Sequence, residues 1–262
     1  MWATAPDIRL DPDTTLHDAL AMSLFDLFQW LPERTSAALL ASARTRKVAA
    51  GGIIYEQGAE GDEMFRLVSG SIRLSVMNAD GRDLLYLFFS PGDCFGTSSV
   101  VDGEPRPQTA EAFDAVELQV FDRAAIDRLR TDHPQINDAL LRLLSRHMRL
   151  LSDYYAGALL DEGEYRLAQR LVEMADGFGV PAERGILLPT RISQSELAAM
   201  VGIARQTANR ILKSFQDKGW ITSAGNSMMI TRLDQLRTAA KRGAHIHYFE
   251  AANPDSSVRN QG

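Results

Sequence analysis

The sequence predicts an α+β chain with an N-terminal antiparallel β-roll of the jelly-roll type, a long helix in the middle and a C-terminal helix-turn-helix with a wing. Three observations carry this. Turn signals recur at short intervals from Val48 to Asp122, an apolar helical stripe runs from Gln135 to about Leu160, and a capping box opens two amphipathic helices joined at Gly202.

The roll is read from its punctuation. Gly51-Gly52, Gln57-Gly58 to Gly61-Asp62, Ser69-Gly70, Asn78 to Gly81, Pro91-Gly92-Asp93 and Asp102 to Pro105 separate short strand-like stretches. Arg66-Leu67-Val68 and Ile72 to Val76 alternate as half-buried strands do, whereas Leu84 to Phe89 reads as fully buried. Such spacing, with no helical pattern among the strands, indicates a closed antiparallel sandwich or roll. Helical periodicity is expected only at its edges, in Ser23 to Ala43 and Asp122 to Leu129.

His133-Pro134 ends that last short helix and opens a long one, since proline is tolerated in a first helical turn. Leu140, Leu144, His147, Leu151, Tyr154 and Ala158 repeat at spacings of four and three, and Leu143, Met148, Leu150 and Tyr155 widen the stripe. A helix apolar on more than one face must bury one side on its own domain and another elsewhere, and the matching helix of a second copy is the economical cover. Asp161 to Glu164 interrupts the pattern as a hinge, and Tyr165 to Ala175 resumes it. Gly177 to Gly185 reads as loop and Ile186 to Leu188 as a short strand. The domain reading is therefore an N-terminal tail over 1–22, a sensor roll over 23–132, a dimerisation helix over 133–160, a winged helix-turn-helix over 161–242 and a tail over 243–262.

Composition excludes several classes. No apolar run approaches the length of a membrane span, and residues 1–18 lack the basic and apolar parts of a signal peptide, so a cytoplasmic protein away from membranes is expected. A single cysteine, Cys94, cannot form an internal disulfide or hold a four-cysteine iron-sulfur cluster. The net charge of −6 is unevenly spread. Arg191 to Arg242 holds nine basic residues against Glu196, Asp217 and Asp234, a net +6 carried on a remainder of −12. A basic segment on an acidic body is the footprint of one domain that touches phosphate, although a solvated helical face accounts for the charge equally well.

The decisive stretch begins at Ser193. Its hydroxyl can accept from the amide of Glu196 while Glu196 reaches back, which starts a helix whose face is Leu197, Met200 and Val201. After Gly202-Ile203 a second helix runs from about Arg205 to Lys218, with Ala208, Ile211, Leu212 and Phe215 inward. Gln206, Asn209, Arg210 and Lys213 lie opposite, Arg205 stands beside them, and nothing acidic shares that face. A major groove admits one such helix, in which arginine pairs with guanine and glutamine or asparagine with adenine, while Lys213 and Lys218 would meet phosphates. Trp220 to Thr222, a turn over Ser223 to Ser227, and Met228 to Thr231 read as the wing. Capping box, turn glycine, acid-free face and wing together favour double-stranded DNA as the partner over a plain helical hairpin.

From about Phe25 to Leu236 the chain resembles the CRP/FNR family of bacterial transcription regulators. The resemblance is closest through Ser193-Gln194-Ser195-Glu196-Leu197, Gly202 to Leu212 and Gly219-Trp220-Ile221, and in the roll through Gly70-Ser71-Ile72 and Pro91 to Gly96. It implies a cyclic-nucleotide-binding-like sensor, a homodimer on a palindromic operator and contact with RNA polymerase. It also implies that Arg205, Gln206 and Arg210 read bases, that Asn209 is a further reading position, and that Ser193 and Thr207 contact phosphate. The family's catabolite activator carries glutamate at the position of Gln206, so its operator does not transfer.

In cyclic-nucleotide-binding members a glutamate holds the ribose and an arginine-serine pair the cyclic phosphate. Here those positions are Thr97, Arg106 and Pro107, and on the long helix Leu151 replaces threonine while Ser152 remains. A buried anion needs several converging donors, so cyclic AMP is not the expected effector. Gly96, Thr97, Ser98, Arg106 and Ser152 are the candidate lining for another small molecule. No cofactor is assigned. His133 and His147 are the histidines placed to ligate a haem, but a histidine on a helical seam is more often packed, and Cys94 reads as a small buried hydrophobe before a redox switch. No nucleophile, base and orienting group assemble, so no enzyme is read. The rival reading is a ligand-binding regulator acting through protein partners, its helix-turn-helix no longer meeting DNA.

Overall fold

The computed structural model describes residues 23–81, 83–188, 192–224 and 227–240. Both tails, the wing turn at Gly225-Asn226, and Arg191, Lys241 and Arg242 of the basic segment lie outside the described residues.

The N-terminal half contains eight strands: β1 (Arg44–Val48), β2 (Ile53–Tyr55), β3 (Glu63–Ser69), β4 (Ile72–Met77), β5 (Asp83–Phe89), β6 (Cys94–Phe95), β7 (Thr109–Ala112) and β8 (Val116–Asp122). They form two antiparallel four-stranded sheets, in the orders β1-β8-β3-β6 and β2-β7-β4-β5. Alternation decides the inner face. Val116, Leu118 and Val120 of β8 are buried, with Leu67 opposite Leu118 and Phe65 opposite Val120. Phe65, Phe89 and Phe95 stack at the centre, at 5.1 and 5.4 Å between ring centroids. The roll is closed below by a 3-10 turn (Leu27–Trp30), by α1 (Glu33–Ala41) and by α3 (Arg123–Asp132).

Two expectations for the roll are corrected. A helix, α2 (Thr97–Asp102), does lie among the strands, bracketed by Gly96 and Gly103 in the left-handed region at φ 73° and 83°. At six residues it is too short to leave a helical period in the sequence. The apolar run of β5 is not wholly buried within its own domain. The β4–β5 register shifts between Leu74 and Ser75, so that Leu74 faces Leu87 while Ser75 faces Leu85, and one face turns inward and the other outward. Leu87 and Phe89 join the roll core, whereas Leu85 and Phe88 pack into the core of the second domain.

The long helix α4 (Gln135–Leu160) keeps its expected bounds. Its inward face is Ile136, Ala139, Leu140, Leu143, Leu150 and Gly157, with His147 stacked on Phe25 at 4.3 Å. The stripe read from the sequence straddles two faces: Leu140 is buried and Leu151 exposed. The outward apolar face is instead Leu141, Met148, Leu151 and Tyr155, extended by Leu159, each at least half exposed. Residues 141, 148 and 155 are seven apart, the spacing of a coiled-coil seam.

The second half comprises α5 (Gly163–Phe178), β9 (Val180–Ala182), β10 (Gly185–Leu188), α6 (Gln194–Met200), α7 (Arg205–Asp217), β11 (Ile221–Ala224), β12 (Ser227–Ile230) and α8 (Leu233–Ala240). One antiparallel sheet, β11-β12-β10-β9, packs with the helices around Leu167, Leu171, Leu212, Phe215, Ile230 and Leu236. The stretch read as loop over 177–185 is the end of α5 followed by β9. Helix α8 has no counterpart in the sequence reading.

Polar contacts join the halves. Arg170 of α5 is buried between Tyr154 Oη of α4 at 2.8 Å and the Glu173 carboxylate at 2.9 Å, with its guanidinium 4.3 Å from the Tyr154 ring centroid. Arg73 of β4 pairs with Glu111 at 2.6 Å and, at 3.5 Å, with Glu196 of α6. Ser90 Oγ donates to the carbonyl of Gly177.

Candidate DNA-binding face and sensor cavity

The helix-turn-helix forms as its residues dictate. Ser193 Oγ accepts from the Glu196 amide at 3.1 Å and Glu196 Oε2 accepts from the Ser193 amide at 2.6 Å, so the capping box is complete. Gly202 sits at φ 63°, the left-handed conformation that the turn between α6 and α7 requires. The Ile203 amide then bonds the Ala198 carbonyl at 3.0 Å. In α7, Ala208, Ile211, Leu212 and Phe215 are buried, and Phe215 stacks on Trp220 at 5.3 Å.

The opposite face is less uniform than the sequence reading. Arg205, Gln206 and Arg210 are exposed, and among the described residues no acid pairs with either arginine. Ser193 is exposed and, having accepted with its oxygen, keeps its hydroxyl proton to donate. Thr207 and Asn209 are half-buried, and Asn209 Oδ1 has no partner among the described residues. Lys213 is exposed but paired with Asp217 at 2.8 Å, so the face is not free of acid at its C-terminal end. Lys218, expected at a phosphate, is tied to Glu164 at 3.1 Å and lies over Trp220.

Between roll, α4 and the second domain lies a cavity of about 700 Å³. Leu74, Leu87, Phe95, Thr97, His147 and Leu150 wall its sensor end, and α5 with the end of α6 its other end. Of the five residues expected there, Gly96, Thr97 and Ser98 line it; Arg106 and Ser152 do not. Arg106 is buried and donates to the Gly96 carbonyl at 2.9 Å and the Glu63 carbonyl at 2.7 Å, its guanidinium 4.4 Å from the Tyr55 ring centroid. Its charge supports the backbone beneath the cavity. Ser152 is exposed on the outer side of α4. Sequence reasoning missed the sheet residues Leu74 and Leu87 and the hinge residues Tyr154 and Arg170, because nothing local to them differs from core or helix surface.

Burial sets the protonation of the candidate sensing groups. It pushes the Cys94 thiol far up, so sulfur stays protonated and unreactive. His133 Nδ1 is 3.3 Å from Thr35 Oγ1. His147 is held down to about 4 by burial, and its Nε2 has no partner among the described residues. Because the folded value lies below the ordinary 6.5, the unfolded chain binds the extra proton first, and stability falls as pH drops from about 6.5 toward 4. Asp93, raised by burial to about 6, acts in the opposite sense over about pH 4 to 6. The two contributions separate in the variant: urea unfolding at about pH 7 and about pH 5 is expected to cost wild type more than His147→Phe, and equal losses would remove His147 from the account.

An acid-free pair of arginines on the second helix of a helix-turn-helix, behind a β-roll that walls one end of a cavity, is the arrangement of a DNA-binding regulator. The comparisons agree. Residues 45–133 match the cyclic nucleotide-binding domain model and residues 165–239 the Crp-like helix-turn-helix domain model. The chain is 29% identical to the CRP-like cAMP-activated global transcriptional regulator of Mycobacterium tuberculosis (strain CDC 1551 / Oshkosh), over 82% of this chain and 96% of that protein. It is 24% identical to the anaerobic regulatory protein of Bacillus subtilis (strain 168), over 76% of this chain and 85% of that protein. The solved structure of a CRP-family transcriptional regulator from Thermus thermophilus is similar, with TM-score 0.64 and 26% identity, covering 76% of this chain and 98% of that one. The chain belongs to the CRP/FNR family and is a transcriptional regulator with a helix-turn-helix DNA-binding domain. Among the described residues no helix is long and apolar enough to cross a membrane.

Proposed function

We propose that this regulator binds a palindromic operator as a homodimer in the cytoplasm, contacts RNA polymerase beside it, and is controlled by a small molecule other than cyclic AMP. The carrying observation is the placement of Arg205, Gln206 and Arg210, exposed together on α7 with neither arginine paired to an acid among the described residues. Ser193 and Thr207 flank them as phosphate contacts, with Asn209 beside them and Lys213 available once it releases Asp217. An exposed Lys213–Asp217 pair is weak, so phosphate displaces the carboxylate at little cost. A salt-dependent gel-shift assay on genomic fragments tests the DNA-binding reading: wild type should retain specific fragments with a steep salt dependence, and retention of none would leave the protein-partner reading.

The effector reading rests on the cavity. The relative from M. tuberculosis is described as cAMP-activated; this chain has Thr97, Pro107 and Leu151 where binding groups are expected, and turns Arg106 to backbone carbonyls. Arg106 keeps only Nε without a partner among the described residues and does not line the cavity, so an anionic phosphate there would be buried away from its counter-cation, which is costly. Calorimetry with cyclic AMP or cyclic GMP is therefore expected to give no tight, specific binding. Micromolar affinity together with enhanced operator binding would overturn this reading.

A further inference from the structure

Resting on the reading that the cavity is the regulatory site, we infer that its ligand is an uncharged, largely apolar small molecule whose polar group is a hydroxyl met by Thr97 or His147. About 700 Å³ lies within the range of sites that enclose small molecules. The roll end is apolar because strands β4, β5 and β6 and helix α4 present core residues to it, Leu74, Leu87, Phe89, Phe95 and Leu150, with the more exposed Leu84 at its edge.

Charge argues against an ionic ligand. Five charged residues line the cavity, and carboxylates outnumber cations: Asp153, Asp161 and Glu173 against Arg166 and Arg170. Arg170 is already held by Tyr154 and Glu173. Arg166 donates through Nη1 to the Ala158 carbonyl at 2.5 Å, at the C-terminus of α4, and its Nε has no partner among the described residues. An anion entering here finds Arg170 committed, gains only the part of Arg166 that the α4 carbonyls leave, and meets the carboxylates of Asp153, Asp161 and Glu173. A cation would leave water for a wall that is apolar over its larger part.

The hydroxyl follows from two orphaned groups. Thr97 is buried and its Oγ1 has no partner among the described residues; His147 Nε2 is in the same condition, and both residues line the cavity. Buried polar atoms in folded proteins are nearly always bonded, so each calls for a partner that the described residues do not provide. A hydroxyl donates to an unprotonated imidazole nitrogen or accepts from a protonated one, and does either with threonine. The far wall is Met200 to Gly202, the end of α6 and the helix-turn-helix turn, so an occupant touches both the sensor and the DNA-binding domain.

The test displaces the uncharged dye N-phenyl-1-naphthylamine from the full-length protein with 1-naphthol, naphthalene, 1-naphthoate and cyclic AMP, followed by its fluorescence. The expected order is 1-naphthol about tenfold tighter than naphthalene, with 1-naphthoate and cyclic AMP weaker than both. The double variant Thr97→Val, His147→Phe keeps shape and aromatic packing, so it should bind naphthalene as wild type does and lose the preference for 1-naphthol. Unchanged naphthalene binding also verifies that the variant cavity is folded. Equal affinity of wild type for 1-naphthol and naphthalene, a preference surviving in the variant, tighter binding of 1-naphthoate or cyclic AMP, or no displacement would each overturn the inference. A gel shift on the same preparation separates the two claims: intact DNA binding with no displacement rejects the ligand class alone, and displacement without DNA binding rejects the proposed function alone.

Discussion

The double substitution Leu141→Glu, Met148→Glu should convert the protein to a monomer and weaken specific DNA binding by about a hundredfold or more. Both side chains lie on the outward face of α4, one heptad apart, at 63% and 65% exposure in the single chain, and neither lines the cavity. Their loss therefore costs the isolated subunit little. In a parallel helix pair the same positions face their symmetry mates, so each glutamate opposes a second one in an apolar seam, where unpaired charges are expensive. A palindromic site is held by two weak half-site contacts made effectively intramolecular by the dimer, which adds roughly a hundredfold or more to either alone. Sedimentation velocity and a shift assay on one preparation check both parts. A variant that remains dimeric places the interface elsewhere, and a monomer with undiminished affinity removes the need for two half-sites.

The outward face of α4 marks the limit of what sequence periodicity resolves. The existence, length and limits of α4 were legible, because apolar residues at four-three spacing persist through Tyr154 and Pro134 marks the start. Its faces were not. With apolar residues on both sides, Leu140 and Leu144 fit one stripe equally well, and only the packing of His147 on Phe25 and of Leu143 in the roll decides which side is inward. Strand β5 carries the same ambiguity. A continuous apolar run reads as buried, but the bulge that sends Leu85 to one domain and Leu87 to the other depends on a pairing register that the strand alone does not encode.

The candidate sites divide along the same line. The helix-turn-helix is local: capping box, Gly202 and an amphipathic α7 are set by residues within a few turns of one another, so Arg205, Gln206 and Arg210 fell where periodicity put them. The ends of that face were harder, since Lys218 is claimed by Glu164, 54 residues earlier. The cavity is non-local. Its wall collects β4, β5, α4, α5 and α6, and the inward turn of Arg106 depends on carbonyls at Glu63 and Gly96 that no linear motif announces.

The second large effect concerns base reading. Arg210→Ala removes a side chain that lies opposite the packed Ala208, Ile211, Leu212 and Phe215, so the fold and the dimer should be unaffected. A bidentate arginine-guanine contact is worth about 1 to 3 kcal/mol of discrimination, so the variant should tolerate other bases at one symmetric pair of operator positions and keep the rest of the motif. Lys213→Ala should behave differently, weakening all sequences about equally and flattening the salt dependence by about one phosphate contact. Selection from a random oligonucleotide pool with wild type, Arg210→Ala and Lys213→Ala in parallel addresses the central claim directly. The account predicts a palindromic motif for wild type with half-sites about one helical turn apart, relaxed at one symmetric pair by Arg210→Ala and unchanged in sequence by Lys213→Ala. A folded, dimeric Arg210→Ala protein that enriches the wild-type motif with wild-type stringency would contradict it.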